Sequence, residues 1–497
     1  MENFQTKIFE DNINFMSRKI KYIIFLFLFF IIYQQLWRTI GRDTYVDNLI
    51  KIFPNSASEF VKKTFFLNKL QKIELENLKN ENKKLREEIT KLDRKNFENK
   101  IKFADPMEIN LTNEFEFEIF NEEFEIKKYL SPYNIPKILG KGTAYLGFDE
   151  KNIFIVGGSG LISYINKDQL LKNNLKKNFI QPIPTNLSKK ITDNRFFNKS
   201  IYGIKGTHIF QNKIYISYTN ELKEDCYTTS ILAADLNTSY LNFTDFFINE
   251  ECVGFENEYG KFNAAQSGGK ILTYDDKNLI VSIGEYRYRD HAQDISNIFG
   301  KIIKINIDTK KYDILSMGHR NVHGMYYDIK NKKIISVEHG PDGGDEINFN
   351  YLGDGKIKNF GWPISSYGEH YGGKDDIGNK IWYEKAPFYK SHEKHGFIEP
   401  AYYFLPSLGA SSVSKIPNFY FDDQNKDHKY LIVGTLGWKN KKGEKSLHFF
   451  KFKNNKLLDK HYFNLNDRVR DIVYDKERNL FYIWTDTTSS LLILKKK

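Results

Sequence analysis

The sequence predicts an all-β protein, a six-bladed β-propeller preceded by an N-terminal transmembrane helix and a short coiled-coil helix. Three observations support this prediction. The 497 residues are 15% aromatic, with 41 Phe, 31 Tyr and 32 Gly, a composition typical of short strands joined by tight turns. Six hairpin-like segments recur in the C-terminal two thirds of the chain. An apolar run and a set of heptads precede them.

The six recurring segments share one pattern: a strand led by Gly or a polar residue, a turn that contains Asp, Asn or Lys, and a more hydrophobic second strand. Runs of Tyr, Ile, Val and Phe on both sides of such a turn predict a β-hairpin. The segments begin at Gly142, Gly206, Gly269, His323, Ser412 and Arg468. Six hairpins around one axis predict six blades over residues 130–497. A β-sandwich or another two-sheet protein is the alternative.

Residues 20–37 predict a transmembrane signal anchor. The segment IKYIIFLFLFFIIYQQLW would extend ~27 Å as a helix, close to the ~30 Å apolar thickness of a bilayer. Lys and Arg before the run outnumber those directly after it, so the positive-inside rule places residues 1–19 in the cytoplasm. The chain would then cross an inner or plasma membrane once and place its propeller in the periplasm or outside the cell. A cleaved signal peptide is the alternative, although no small-residue cleavage site follows the run.

Residues 66–100 predict a coiled-coil stalk between the membrane and the propeller. The a positions of its heptads are Leu75, Asn82 and Ile89, and the d positions are Leu78, Leu85 and Leu92. Leu at every d position with a single central Asn at a favours a two-stranded coil. We therefore expect a homodimer through this segment. The alternative is a single charged helix that acts only as a spacer.

The net charge of +11, from 74 Lys and Arg against 63 Asp and Glu, does not predict nucleic-acid binding. Residues 1–104 hold 20 basic and 13 acidic residues, so most of the surplus lies outside the predicted propeller, whereas a nucleic-acid-binding domain carries its own basic patch. The two cysteines exclude a disulfide-dense scaffold and a CxxC zinc site. Cys226 and Cys252 flank the expected outer strands of the second blade, where they either form a structural disulfide or remain buried thiols.

Three linked motifs carry the strongest functional signal. They are GHRNVHGMYYD from Gly318, EHGPDGGDEIN from Glu338 and NFGWP from Asn359. Together they resemble the quinoprotein sugar dehydrogenases, the group of soluble glucose, aldose sugar and sorbosone dehydrogenases. The resemblance implies a six-bladed propeller that binds pyrroloquinoline quinone (PQQ) and calcium. It also implies a sugar or polyol substrate, oxidised as a base takes the hydroxyl proton and a hydride leaves to the quinone.

The resemblance assigns two pairs of residues to this site. Arg320 and Asn321 match the Arg-Asn pair that contacts the quinone and count as catalytic residues. Arg468 and Arg470, in DRVRD, match paired arginines that bind the cofactor. Their forked guanidinium groups suit carboxylates, and the alternation of a strand places both on one face. The alternatives are a purely structural blade corner at Arg320 and an exposed strand face at the arginine pair.

The segment after Glu338 is assigned to the cofactor and to calcium by the same resemblance. His339 is expected to contact the cofactor, and the backbone of Gly340 and Pro341 to bind calcium. Backbone carbonyls are suitable ligands for a hard cation such as Ca²⁺. The alternative is that this segment only stabilises a loop, through Asp345 and Glu346.

Two departures from the family pattern affect the expected chemistry. In AAQSGGKI, Gln266 stands where the family has its catalytic histidine and Lys270 where it has an arginine. A neutral amide does not accept a proton near neutral pH, whereas Glu285 keeps the charge of the acidic residue that follows this strand. Gly437, in VGTLGWK, stands where the family has a cofactor-binding lysine, and Lys439 lies two residues further on as a substitute.

A histidine elsewhere could replace the missing base. The candidates are His291, His319, His323 and His370. Two functions therefore remain open: a membrane-anchored, PQQ- and calcium-dependent sugar dehydrogenase, and a non-catalytic propeller that binds a ligand after losing the base at Gln266. A propeller hydrolase is less well supported because no GxSxG motif is present.

Overall fold

The computed structural model describes most of the chain after residue 105. It describes residues 106–131, 142–171, 178–193, 195–198, 201–257, 260–371, 388–423, 425, 427–437 and 441–497, and before them 74–82, 84, 85, 88, 91, 92 and 95.

The predicted tail at 1–19 and the predicted anchor at 20–37 lie outside the described residues. Within the described part of the chain, no helix is both long and apolar enough to cross a membrane. The described residues between 74 and 95 are helical and exposed. Leu75, Leu78, Leu85 and Leu92 of the heptads are each at least 50% exposed. The pairing of two such helices stays a prediction.

The described residues after 105 form mainly β-strands. In chain order these are β1 (Met107–Ile119), β2 (Glu122–Leu130), β3 (Ala144–Phe148), β4 (Asn152–Gly157), β5 (Ile162–Asn166), β6 (Asn178–Pro182), β7 (Ile204–Phe210), β8 (Lys213–Lys223), β9 (Cys226–Asp235) and β10 (Thr244–Phe247). They continue as β11 (Glu256–Asn257), β12 (Gly260–Lys261), β13 (Gly268–Asp275), β14 (Asn278–Ile283), β15 (Lys301–Asn306), β16 (Tyr312–Met317), β17 (Val322–Asp328), β18 (Lys333–Glu338) and β19 (Asp345–Tyr351). The last are β20 (Lys358–Asn359), β21 (Tyr402–Phe404), β22 (Ala410–Ile416), β23 (His428–Thr435), β24 (Ser446–Lys453), β25 (Lys456–Asn464), β26 (Val469–Asp475), β27 (Leu480–Thr485) and β28 (Ser490–Lys496).

Six inner strands form a closed ring. Strands β3, β7, β13, β17, β22 and β26 contact one another in that order, and β26 also contacts β3. Each begins a four-stranded antiparallel sheet that continues outward, as in β7–β8–β9–β10 and β22–β23–β24–β25, and β20 adds a parallel fifth strand beside β16. The all-β prediction is confirmed, and six sheets around one axis are the arrangement of a six-bladed propeller.

The six hairpins expected from the sequence are the two innermost strands of each sheet. Second strands such as β14 and β27 are almost entirely buried, as is typical of strands covered on both faces. Three of the six turns contain an Asp side chain that accepts from the backbone two residues on. Asp149, Asp275 and Asp475 accept in this way from the N–H groups of Lys151, Lys277 and Glu477 at 2.8, 2.8 and 3.1 Å. The repeated Asp of the sequence pattern therefore shapes the turns.

The N-terminal hairpin β1–β2 closes the ring. Strand β2 pairs with β28 along its length, and β1 pairs with both β2 and β6, which joins the last sheet to the first. Phe124 and Ile126 of β2 are fully buried in this seam. The sheets thus begin before residue 130, the start expected from the sequence. Charged residues alternate along β1 and β2, so the sequence pattern alone does not mark them as strands of the core.

Helices are short and lie between the strands. The α-helices are Lys167–Leu171, Leu187–Lys190 and Arg195–Asn198, and the 3₁₀ helices are Arg289–Gln293, Ile329–Asn331, Glu393–His395 and Asn418–Tyr420. Cys226, the first residue of β9, is disulfide-bonded to Cys252 with a Cα–Cα distance of 5.2 Å. The bond ties the second blade to the segment that follows β10.

Candidate functional site

A cavity of about 420 Å³ lies among the loops at one end of the inner strands. Its wall contains residues that come just before β13, β17, β22 and β26 and just after β18 and β23. We call it the axial cavity. The residues of its wall that the sequence analysis singled out are Gln266, Arg320, Asn321, His339, Gly340, Asp345, Gly437 and Arg468.

Arg320 is a fixed cation in this wall. Its Nη1 donates to the carbonyl oxygens of His339 (2.9 Å) and Gly340 (3.1 Å). Its Nη2 donates to the amide oxygen of Gln266 at 2.8 Å. The guanidinium carbon lies 5.3 Å from the ring centroid of Trp362, within range of a cation–π interaction. The side chain therefore joins three segments of the wall, and its contact with a ligand stays a prediction.

Gln266 is held between a carboxylate and a guanidinium. Its amide nitrogen donates to Glu285 while its amide oxygen accepts from Arg320, and these two partners fix the orientation of the amide. Glu285 is fully buried behind it and does not form part of the wall. Burial raises the pKa of the Glu285 carboxyl, against the opposing effect of Arg320 and Arg289. Gln266 thus orients its neighbours but offers no group that accepts a proton.

Asn321 fixes the turn that leads into β13. Its Nδ2 donates to the carbonyl oxygen of Ala265 and to Nε2 of His323, both at 3.0 Å. Its Oδ1 accepts from the backbone N–H of Gly268 at 3.0 Å. Because donor and acceptor atoms are both engaged within the protein, Asn321 positions the wall.

His339 directly follows β18 and presents its ring to the axial cavity. Its backbone N–H donates to the carbonyl oxygen of Asn321 at 3.1 Å, and its ring packs against that of His323 with centroids 4.5 Å apart. Burial lowers the pKa of His339 to about 4, so the imidazole is neutral near neutral pH. Its Nε2 is buried and has no hydrogen-bond partner among the described residues.

The two arginines of DRVRD have different surroundings. Arg468 lies in the wall, and its Nη1 donates to the carbonyl oxygens of Leu436 (3.2 Å) and Gly437 (2.5 Å). Arg470 donates through Nε to Asp486 at 2.9 Å, and although burial opposes its charge, this carboxylate keeps the pKa of Arg470 raised. Asp486 also lies 4.0 Å from Nε of Arg468, so both arginines approach one carboxylate. The charge of Arg470 is neutralised inside the protein.

The position of the family's lysine cannot hold a long side chain here. Gly437 has a φ of +66°, and a Cβ built on it would lie 2.7 Å from Cβ of Glu444. Lys439, the expected substitute, lies outside the described residues. Lys441 instead contributes a cation to the wall, where its Nζ lies 3.1 Å from Oδ1 of Asp342. Sequence analysis missed Lys441, although it belongs to the same lysine-rich loop.

The carbonyl oxygens expected to bind calcium are engaged by protein donors. Gly340 O accepts from Arg320, as described above. Pro341 O accepts from the Ser407 hydroxyl at 2.9 Å and from the Gly344 N–H at 3.0 Å. Among the described residues, no group of three or more His, Cys, Asp or Glu side chains could hold a metal ion. The donor set that is present does not fit the expected calcium site.

Asp345 stabilises the loops around this segment. Its carboxylate accepts from the backbone N–H groups of Leu408 (3.0 Å), Gly409 (2.6 Å) and Ala410 (3.0 Å), and from the Ser407 hydroxyl at 2.8 Å. A carboxylate with this many donors is a structural anchor. Glu346 is likewise buried, where it accepts from an amide. The GGDEIN motif therefore ties the loop before β19 to the loop before β22.

The histidines considered as replacement bases do not lie in the wall. They are His291, His319, His323 and His370. His319 is fully buried, where its Nδ1 lies 2.9 Å from Oε1 of Glu338. The rings of His291 and His370 each stack on a phenylalanine ring. Lys270, at the position of the family's arginine, pairs with Asp471.

Comparison with known proteins identifies the family. The glucose/sorbosone dehydrogenase family model matches residues 204–494. An aldose sugar dehydrogenase of Escherichia coli is 28% identical over 191 residues, 35% of this chain and 47% of that protein. Quinoprotein glucose dehydrogenase B of Acinetobacter calcoaceticus is 24% identical over 252 residues, 40% of this chain and 51% of that protein. This chain thus spans about half the length of the curated relatives it matches.

The crystal structure of the soluble E. coli aldose sugar dehydrogenase in its apo form has the same fold. Its TM-score is 0.52 at 20% identity, over 71% of this chain and 96% of that one. The match of the family model, which extends over more than half of the sequence, and the three motifs around the axial cavity agree. The chain belongs to the glucose/sorbosone dehydrogenase family.

Proposed function

We propose that this protein is a membrane-anchored, PQQ-dependent dehydrogenase that oxidises a sugar or polyol in the axial cavity. The observation that carries the proposal is that four polar residues converge on one cavity. Arg320, Asn321, His339 and Arg468 come from three separate stretches of sequence and meet in the wall of one cavity. A cavity that gathers several polar groups in a largely preformed site is the usual form of a small-molecule site.

The charges of the wall suit an anionic cofactor. Four basic residues outnumber three acidic ones in this wall, and PQQ carries three carboxylates. The basic residues are Arg287, Arg320, Lys441 and Arg468, and the acidic residues are Asp342, Asp345 and Glu444. Arg468 uses Nη1 for its hydrogen bonds to the carbonyl oxygens. Within the described residues, no hydrogen bond engages its Nη2. We therefore expect Arg468 to bind a cofactor carboxylate. When bound, PQQ would supply the acceptor for the hydride of the substrate.

The compartment and the assembly are part of the proposal. The Cys226–Cys252 disulfide supports an oxidising compartment such as the periplasm. An anchor at 20–37 would keep the propeller on that side of the membrane. The exposed heptad leucines support a homodimer through the segment 66–100. Relatives named for aldose and glucose oxidation support a sugar as substrate.

A titration of the full-length protein in detergent tests the proposal. PQQ is added while its absorbance is followed, and a panel of aldoses and polyols is then added to the complex. Binding at about micromolar PQQ, followed by bleaching of the quinone with at least one sugar, would support a dehydrogenase. Absence of binding would contradict it.

The second candidate is a non-catalytic propeller that binds its ligand without turning it over. Gln266 favours it, because both ends of its amide are engaged and no replacement histidine among the four considered lies in the wall. The variant Gln266→His separates the two functions. If the parent protein binds PQQ without bleaching and Gln266→His gains bleaching, the native chain is the binding module. If the parent bleaches PQQ, the dehydrogenase stands.

A further inference from the structure

We propose that the guanidinium of Arg320 takes the place of a bound metal ion in the axial cavity, so that this chain holds its anionic ligand without calcium. The ligand named here rests on the proposed function, whereas the statement about calcium does not. The family resemblance implies a metal at the backbone of Gly340 and Pro341. The hydrogen bonds of this chain place a guanidinium at the same loop.

The guanidinium of Arg320 engages one of the two carbonyl oxygens that the resemblance assigns to calcium, that of Gly340. Nη1 of Arg320 lies between the carbonyl oxygens of His339 and Gly340, at 2.9 and 3.1 Å. The Pro341 carbonyl accepts from both Ser407 and a backbone N–H. Calcium takes six to eight oxygen ligands, and the carbonyl oxygens of His339, Gly340 and Pro341 each already accept a hydrogen bond. Calcium bound to the carbonyl oxygens of Gly340 and Pro341 would have to displace three hydrogen bonds, one of them from a charged donor.

The carboxylates of this loop also have hydrogen-bond or ion-pair partners within the protein. Asp345 receives its donors from the loop before β22. Asp342 pairs with Lys441 at 3.1 Å. Neither carboxylate is therefore free to complete a coordination shell.

Gln266 also helps to hold the guanidinium of Arg320 in place. Its amide oxygen accepts from Nη2 of Arg320, while Glu285 holds its amide nitrogen. The indole ring of Trp362 lies on the guanidinium at 5.3 Å. A protonated histidine at position 266 would repel Arg320, whereas an amide oxygen attracts it. The amide of Gln266 and the guanidinium of Arg320 therefore hold each other in place.

The consequence for the ligand follows from charge. Arg320 and Arg468 both lie in the wall of the axial cavity. A guanidinium binds a carboxylate or a quinone oxygen through charge-assisted hydrogen bonds. An anionic ligand thus meets two fixed guanidinium groups without an added metal. Arg320→Met removes the charge but keeps an unbranched side chain, and it releases the carbonyl oxygens of His339 and Gly340.

Two measurements on the full-length protein test this inference. The first is equilibrium dialysis of the chelator-treated protein against radioactive Ca²⁺, with and without PQQ. The Ca²⁺ concentration is about 1 mM, which fills even weak extracellular calcium sites. We expect no stoichiometric calcium in either case. One bound calcium per chain would overturn the inference, whether or not PQQ binds.

The second measurement compares PQQ affinity in a chelator with that in Ca²⁺. We expect the two dissociation constants to agree within about threefold for the parent, and Arg320→Met to weaken binding in chelator by about tenfold or more. The matched control is Arg478→Met, at an arginine paired with Asp168 away from the cavity. Calcium that tightens binding by the parent about tenfold would overturn the inference. A parent that binds no PQQ in either buffer would contradict the proposed function alone, since the dialysis still decides the calcium question.

Discussion

Nζ of Lys270 lies 2.7 Å from Oδ1 of Asp471, and both side chains are buried where the inner strands β13 and β26 face each other. The same carboxylate accepts from the Leu146 N–H at 3.0 Å and the Ser412 hydroxyl at 3.2 Å. Four inner strands, β3, β13, β22 and β26, therefore meet at one carboxylate. The lysine that stands where the family has an arginine belongs to the framework below the cavity.

Lys270→Met is expected to lower the free energy of unfolding by about 3 kcal/mol, because it leaves Asp471 charged and buried without its cation. Lys213→Met is the matched control. Its partner Asp235 is exposed, with 47% and 82% of the two side chains accessible, and such pairs contribute less than about 1 kcal/mol. Urea unfolding followed by fluorescence measures both. Equal losses in the two variants would contradict a supporting role for Lys270.

Replacement of both cysteines by serine is expected to lower the free energy of unfolding by about 3 kcal/mol. Cys226 and Cys252 are 26 residues apart, and a crosslink of that span restricts the unfolded chain by about this amount in the loop-entropy treatment. The parent should lose the same stability in a reducing agent, while the double variant should not respond to it. A parent that is insensitive to reduction would show that the bond contributes little.

Lys333 should make the stability of the protein rise with pH in the alkaline range. It is fully buried, and burial, with Lys429 next in effect, lowers its pKa from 10.5 to about 7. Between these values the unfolded chain binds more protons than the folded one, so stability increases as pH rises from about 7 toward 10.5. Lys333→Met should be more stable than the parent at pH 7 and should lack this rise.

The measurement is chemical unfolding at several pH values, with Lys356→Met as the control at an exposed lysine. That variant should retain the rise of the parent. A Lys333→Met variant with the same pH dependence as the parent would exclude Lys333 as its source.

The sequence predicts those parts of the fold that local pattern determines. The hairpins starting at Gly142 and Gly269 combine an Asp turn with a hydrophobic second strand, and both signals are local. The pairing of β2 with β28 joins residues such as Phe124 and Lys496, and no local signal connects positions so far apart. Strand β25 has only exposed or half-buried side chains, so hydrophobic alternation does not mark it.

The sequence motifs predicted several residues of the candidate site, but they did not predict which of these residues have their charge neutralised. Arg468 and Arg470 are two residues apart in the DRVRD motif. Asp486, the residue directly after β27, nevertheless neutralises only Arg470 by a close ion pair. The donor to Pro341 is Ser407, which a long stretch of sequence separates from it. Asp486 follows the second strand of the same blade and Ser407 precedes the next blade, so only the folded ring determines which charges remain available to a ligand.

The two arginines of DRVRD should therefore respond differently to neutral substitution. Arg468→Met removes a guanidinium from the wall, and we expect it to weaken PQQ binding by about tenfold or more. Arg470→Met leaves Asp486 buried without its cation, so we expect it to lower the free energy of unfolding by about 3 kcal/mol. Absorbance titration with PQQ and urea unfolding, applied to both variants, separate the two effects. If both variants lose affinity equally and neither loses stability, the charge of Arg470 is available to the ligand and its pairing with Asp486 does not neutralise it.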